Sequence, residues 1–218
     1  MAERPLRAMR EYVSILRACF RSEDPPQGEI FSTRFRFMGY QPRADLPIYV
    51  AALSPAMLRL AGEVADGVIL WLCTPPYIRD VVIPAVREGR ERAGKTLDGF
   101  DVVPAVPSGL VEDPADAYAS LRRELIPYFG LPFYRAMIER SGFAEEIGAF
   151  DAAAGGGDIE QMQAAISERF LQELAAVGDA DGVRAGVERY RSAGATSPCV
   201  GPISRTDFEA TLDAAAGA

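Results

Sequence analysis

Residues 48–73 read IYVAALSPAMLRLAGEVADGVILWLC, and their order decides the fold. An apolar run over 48–53 stops at Ser54-Pro55. An amphipathic stretch follows, with Met57, Leu58, Leu60, Ala61, Val64 and Ala65 on one broad face, and closes at Asp66-Gly67. A second apolar run, 67–73, begins at once. Continuous apolar strands alternating with helices mean a parallel sheet covered by helices.

Outward from this unit the pattern repeats. Before it, Leu6, Met9, Tyr12, Val13, Leu16 and Phe20 predict a helix over 5–20. The connection 22–46 holds the turn-rich SEDPPQGE and a short alternating piece, IFSTRFRF. After it, Thr74 and Pro75 open a helix that Gly94 closes. A third strand over 100–111 is weakened by its prolines. Asp113 as N-cap and Pro114 at N1 start a helix over 113–129. A helical insert follows, about 131–177, broken at AAAGGGD; then come a helix over 179–194, a strand over 196–203 and a final helix about 204–216. Four core strands are expected near 48–53, 68–73, 101–106 and 197–202, parallel, adjacent and in chain order. A doubly wound sheet and a (β/α)8 barrel both fit the pattern, but a complete barrel needs eight strands and typically about 250 residues.

Composition narrows the chemistry. The net charge is −8, and the basic run at 87–92 is broken by glutamates, so nucleic acid is not an expected partner. Cys19, Cys73 and Cys199 are far apart, with neither zinc-site spacing nor a disulfide framework. That usage fits a reduced, cytoplasmic setting. The opening MAERPLRAMREYV is charged where a signal peptide would be apolar, and no apolar run approaches the roughly 18 residues of a membrane span. Histidine is absent, which excludes a His-based triad, zinc site or general base within the chain.

Ser54 and Pro55 are preferred N-cap and N1 residues. The next amides, those of Ala56 and Met57, are expected to point out of the helix at the positive end of its dipole. The turn can therefore be a plain cap, the more ordinary role, or an anion site.

The blocks RPLRAMREYVSILR (4–17), LPIYVAALSPAMLRLAGEVADGVILW (46–71), YIRDVVIPAVREGRERAGK (77–95) and GDADGVRAGVERYRSAGAT (178–196) resemble, in order and spacing, the luciferase-like monooxygenase family, in particular its branch using the deazaflavin coenzyme F-420. The resemblance implies an α/β fold of the (β/α)8 TIM-barrel type, incomplete, whose four strands correspond to strands five to eight. Residues 1–218 are then one partial barrel domain with a helical insert about 113–177. It further implies a flavin- or deazaflavin-dependent oxidoreductase or a truncated portion of one, with coenzyme F-420 favoured and FMN the alternative. The alternative function is a non-catalytic half-barrel or accessory chain needing a partner chain.

Residue by residue, the resemblance puts the cofactor phosphate on Ala52, Leu53, Ser54, Pro55, Ala56 and Met57, and turns the preference at Ser54 from cap to phosphate donor. Trp71 stands where an aromatic wall borders the flavin ring, or is an ordinary core tryptophan. Tyr128, Phe129, Phe133, Tyr134 and Met137 suit a lid over an apolar substrate, or packing inside the insert. Thr74 is read chiefly as a cap, Pro107 and Ser108 as a strand end on the cofactor side, and Asp66 and Gly67 as structural. Glu63 and Asp80 lie on helices, so no catalytic acid and no metal ligand is assigned. The expected partners are the cofactor and a small organic substrate, with no nucleic acid and no membrane. Self-association or a partner chain is expected, because a half-barrel leaves apolar faces uncovered.

Overall fold

The computed structural model describes residues 4–39, 42–203 and 208–217. In chain order these form α1 (Pro5–Phe20), β1 (Tyr49–Ala51), α2 (Pro55–Val64), β2 (Gly67–Leu70), α3 (Pro75–Tyr77), a π-helical turn (Ile78–Val82) and α4 (Ile83–Arg92). Then come β3 (Asp101–Leu110), α5 (Pro114–Gly130), α6 (Pro132–Arg140), α7 (Ala144–Gly156), α8 (Ile159–Ala165) and α9 (Glu168–Leu174). The chain ends with β4 (Ala176–Gly178), α10 (Ala180–Ser192), β5 (Cys199–Pro202) and α11 (Phe208–Ala216). The first four residues of the expected final helix, 204–207, lie outside the described residues. The strands belong to one sheet of order β1-β2-β3-β4, with β5 also paired to β3. Two compact units divide the chain: residues 1–68 with 84–101, and residues 69–83 with 102–218.

In the first unit β1 alternates. Val50 and Ala52 are buried, while Tyr49 and Ala51 are exposed. Asp66 ties the strand starts to α1. Its N–H donates to Ile48 O (2.9 Å), its carbonyl accepts from Asp101 N–H (3.0 Å), and its carboxylate accepts from Ile48 N–H (2.7 Å) and from Arg17. Gly67 is structural, as expected, but it is not a left-handed helix end. A Cβ there would lie 2.4 Å from the Tyr49 ring, so packing excludes a side chain. Helices α2 and α4 approach through reciprocal glycines. A Cβ on Gly62 would lie 2.4 Å from Val86 O, and one on Gly89 1.9 Å from Arg59 O.

The piece IFSTRFRF forms no strand. The Glu11 carboxylate takes its place as organiser, accepting the N–H groups of Glu29, Ile30 and Phe31 at 3.2, 2.9 and 3.0 Å.

In the second unit β3 pairs parallel with both β4 and β5. Ser108 O accepts from Ile203 N–H and Val111 N–H donates to Gly178 O, each at 2.9 Å. Residues an odd number apart point to opposite edges of a strand, so β4 and β5 flank β3. The expected weakening by Pro104 and Pro107 is not seen, since β3 is ten residues long. Each proline removes one donor, while the Val102 and Ser108 carbonyls still accept from the β5 side.

Strand β4 was not expected: the insert's last helix stops at Leu174 rather than running on to 177. It is three residues long and too short for a period to show. The expected 68–73 strand ends at Leu70, because Leu72 turns left-handed at φ 61°. The helix expected from 75 contains the π turn just before Pro84. A proline ring crowds the carbonyl four residues back and offers it no N–H, and one wider turn accommodates both faults.

The insert has its own aromatic core. Phe129 lies 5.5 Å from both Phe150 and Phe170, and Phe143 lies 5.0 Å from Phe170. Glu146 in the first turn of α7 reaches α9: its Oε1 accepts from Ser167 Oγ (2.8 Å) and Arg169 (2.9 Å). Burial pushes the Glu146 carboxyl up, but the bonds from Ser167, its own backbone N–H and Arg169 outweigh burial and hold it below the ordinary glutamate value. A carboxyl depressed by folding stabilises the fold above its unfolded pKa, and that contribution is lost as pH falls through the folded value. Glu146→Gln is therefore expected to cost about 1–3 kcal/mol at about pH 7. At an acid pH below its folded value, itself under the ordinary glutamate value of about 4.3, the difference from wild type should shrink toward zero, because the folded carboxyl is then protonated too. Urea unfolding at both pH values measures this, and an equal loss at both would show that the charge plays no part.

Candidate functional site

At the β1–α2 junction the apolar strand ends and Ser54 takes an extended conformation (φ −77°, ψ 147°), with Pro55 in the first helical position. The Ser54 carbonyl accepts from Leu58 N–H at 2.9 Å. Its Oγ accepts from Met57 N–H at 3.3 Å. The Met57 amide is thus occupied, which corrects the expectation that it points out free. The Ala56 N–H remains without an intrahelical partner by helix geometry. A hydroxyl that accepts one bond still has its own proton to donate, so capping does not use up Ser54. Ser54 is exposed, Leu53, Pro55, Ala56 and Met57 are half-buried, and Ala52 is buried.

The first turns of α2 also edge a groove of about 540 Å³ lined by Arg7, Arg10, Arg59 and Arg92, with Glu63 among them. Glu63 bonds Arg10 and lies 3.9 Å from Arg92, while Glu88 lies 3.4 Å from Arg59. The groove is a network of compensated pairs, and Glu63 belongs to it rather than to any acid–base pair. Asp80 is likewise paired with its exposed neighbour Arg79, which holds its carboxyl low.

In the second unit the turn after β2 carries Trp71, half-buried and edge-on to Tyr128 with ring centroids 5.8 Å apart. Tyr128 meets Tyr134 at 5.0 Å, and Tyr134 meets Phe133 at 4.9 Å. Phe133 is exposed, but Phe129 and Met137 are buried, so only part of the expected lid faces outward. Burial pushes the Cys73 thiol up and the Tyr77 hydroxyl to about 12, leaving both protonated at neutral pH.

Thr74 departs from its expected role. It precedes α3, yet its side chain makes no capping bond. Its Oγ1 and the Trp71 Nε1 are buried without a hydrogen-bond partner among the described residues. Capping signals alone do not separate Ser54, which caps, from Thr74, which does not. Ser108 is no strand end: it sits within β3, fully buried, and its hydroxyl donates to Val106 O at 2.9 Å. Among the described residues no group of three or more acidic or cysteine side chains is placed to hold a metal ion, and no helix is long and apolar enough to cross a membrane.

Comparison with known proteins places this arrangement. A family model described as luciferase-like monooxygenase matches residues 1–197. A 5,10-methylenetetrahydromethanopterin reductase of Archaeoglobus fulgidus is 28% identical over 205 residues, covering 91% of this chain and 61% of that protein. The reductase of the same name from Methanopyrus kandleri is 28% identical over 171 residues, covering 78% of this chain and 48% of that protein. The chain thus spans about half to three fifths of the length of the curated relatives it matches. A solved structure, the coenzyme F-420 dependent tetrahydromethanopterin reductase from Methanopyrus kandleri, superposes with a TM-score of 0.73 at 24% identity, over 96% of this chain and 61% of that one. That likeness shows the fold: α/β, of TIM-barrel type, with a sheet that is not closed here.

Proposed function

Because this chain belongs to the luciferase-like monooxygenase family, we propose that it is the phosphate-binding portion of a flavin- or deazaflavin-dependent oxidoreductase. Coenzyme F-420 is favoured over FMN, since the relatives named above include an enzyme described as dependent on it. One observation carries the reading: the exposed Ser54 hydroxyl keeps its proton while its lone pair caps Met57, at the head of a ten-residue helix. The Ser54 O–H and the Ala56 N–H are then two donors at the positive end of a dipole. That chemistry fits a phosphate. Ala52 anchors the junction from inside. Leu53 and Met57 flank it, and Pro55 fixes the entry angle without offering a donor.

When bound, the cofactor supplies hydride or oxygen chemistry. These residues bind and orient it. Titration of coenzyme F-420 and of FMN into the protein, followed by the cofactor's own absorbance and fluorescence, tests the reading. Saturable binding of either is expected, with coenzyme F-420 the tighter. Binding of neither turns the reading to its alternative, a non-catalytic half-barrel or accessory chain. For that reading speaks the apolar Ile69 of β2, 46% exposed.

A further inference from the structure

Within the second unit, a groove of about 270 Å³ lies between the first half of α5 and α9, lined by Asp113, Tyr118, Arg122, Glu168 and Gln172 among others. Two of these side chains lack the partners that their burial calls for. Tyr118 is 8% exposed, yet its hydroxyl makes no hydrogen bond among the described residues. Buried tyrosines ordinarily pair that group. Unlike the Thr74 Oγ1, it is not closed off from solvent, so a molecule in the groove can reach it. Burial, then the Glu168 carboxylate, push the Tyr118 hydroxyl up, against the opposing pull of Arg189 and Arg122. It keeps its proton at neutral pH and is a donor.

Arg122, one turn further along α5, is half-buried. Its Nε donates to Ile166 O at 3.0 Å, which anchors the guanidinium. It forms no ion pair among the described residues, and its remaining N–H groups are available to donate. Arg17 and Arg135, also half-buried, each hold an aspartate. The two carboxylates of the groove are engaged on one side only. Asp113 Oδ1 accepts from Ala115 N–H at 2.9 Å, and Glu168 Oε1 accepts from the Gln172 side-chain amide at 2.8 Å.

The charges decide what the groove suits. A simple anion would meet Arg122 but also two carboxylates. A simple cation would leave the guanidinium and the phenol unanswered. A zwitterion answers both sets, and each of its charges exchanges hydration for charge-assisted hydrogen bonds. The volume is just under the roughly 300–1,000 Å³ of pockets for drug-sized ligands, so the ligand is small.

We propose that this groove binds a small free amino acid, its carboxylate on the Arg122 guanidinium and the Tyr118 O–H and its ammonium on the Glu168 carboxylate, with Asp113 adding negative potential. The site shares no residue with the β1–α2 junction, so failure of coenzyme F-420 and FMN to bind overturns the proposed function and leaves this one standing.

Equilibrium dialysis against labelled L-alanine at neutral pH is the test, with propionate and ethylamine, each lacking one of the two charges, as competitors. Alanine is expected to bind saturably at a single site per chain. Each competitor should bind at least about tenfold more weakly, as the loss of a charge-assisted hydrogen bond implies. Tyr118→Phe removes only the hydroxyl; it should weaken alanine about tenfold while the ligand-free melt stays unchanged or rises slightly, since no bond is lost. Glu168→Gln should weaken alanine about tenfold too, yet let propionate bind more tightly, because a repelling charge is gone. No saturable uptake, equal affinity for either competitor, or wild-type affinity in a folded Tyr118→Phe protein each overturns the proposal. So does a Glu168→Gln protein in which propionate gains nothing.

Discussion

Gly89→Ala is expected to cost the protein about 3 kcal/mol, a fall in Tm of roughly 6–12 °C for a chain of this size. Helix propensity alone predicts the opposite. Replacing a helical glycine by alanine gains up to about 1 kcal/mol. Here the new methyl would lie 1.9 Å from Arg59 O and 2.8 Å from Arg59 C, both backbone atoms of α2. Backbone does not rotate away, so α2 and α4 must separate, and Gly62 against Val86 O shows that the fit is close from the other side too. Gly148 within α7 supplies the control, because a Cβ there meets nothing within 4 Å. Gly148→Ala should be neutral or stabilising by up to about 1 kcal/mol. Thermal melts followed by circular dichroism measure both; equal losses at Gly89 and Gly148 would show that the close approach is not what matters.

Ser54→Asp is expected to weaken cofactor binding by about a hundredfold or more. Aspartate is as good an N-cap as serine, so α2 should stay intact. The substitution removes the O–H donor and sets a negative charge beside the phosphate, a repulsion of about 1–4 kcal/mol at 4 Å between partly solvated groups. Ser54→Ala keeps the Ala56 amide and loses one donor, so binding should fall only about tenfold. It also loses the bond to Met57 N–H and should cost about 1 kcal/mol of stability. Both variants are to be titrated with coenzyme F-420 and with FMN beside wild type. Wild-type affinity in a folded Ser54→Asp protein would leave the serine as a cap alone and the phosphate elsewhere.

The fold was largely legible because its signals are local and redundant. Ser54-Pro55 and Asp113-Pro114 mark helix starts by side-chain chemistry that acts within three residues, and both caps are made. What escaped depends on partners distant in sequence or on unusual backbone. No periodicity announces that Gly67 yields its Cβ space to Tyr49, or that Glu11 holds residues 29–31. Leucine at position 72 gives no sign of a left-handed turn, because most leucines never take one. The candidate site was legible at Ser54 by its capping motif. It was misread at Thr74 for the same reason: Thr-Pro and Ser-Pro carry one signal, and only burial tells an engaged hydroxyl from a stranded one.

The Phe129–Phe150–Phe170–Phe143 cluster gives the insert a local source of stability. Its rings are buried, while Phe133 stands on the rim at 53% exposure. Rim residues can therefore be exchanged at small cost to the segment's folding, and the sheet need not register the exchange. On the reading of the insert as a lid, evolution and engineering thus have a region in which ligand preference can drift while the scaffold's melting point stays nearly constant. Selection for a new substrate would be expected to leave its first marks on α6 and the end of α5, well before it touched a strand.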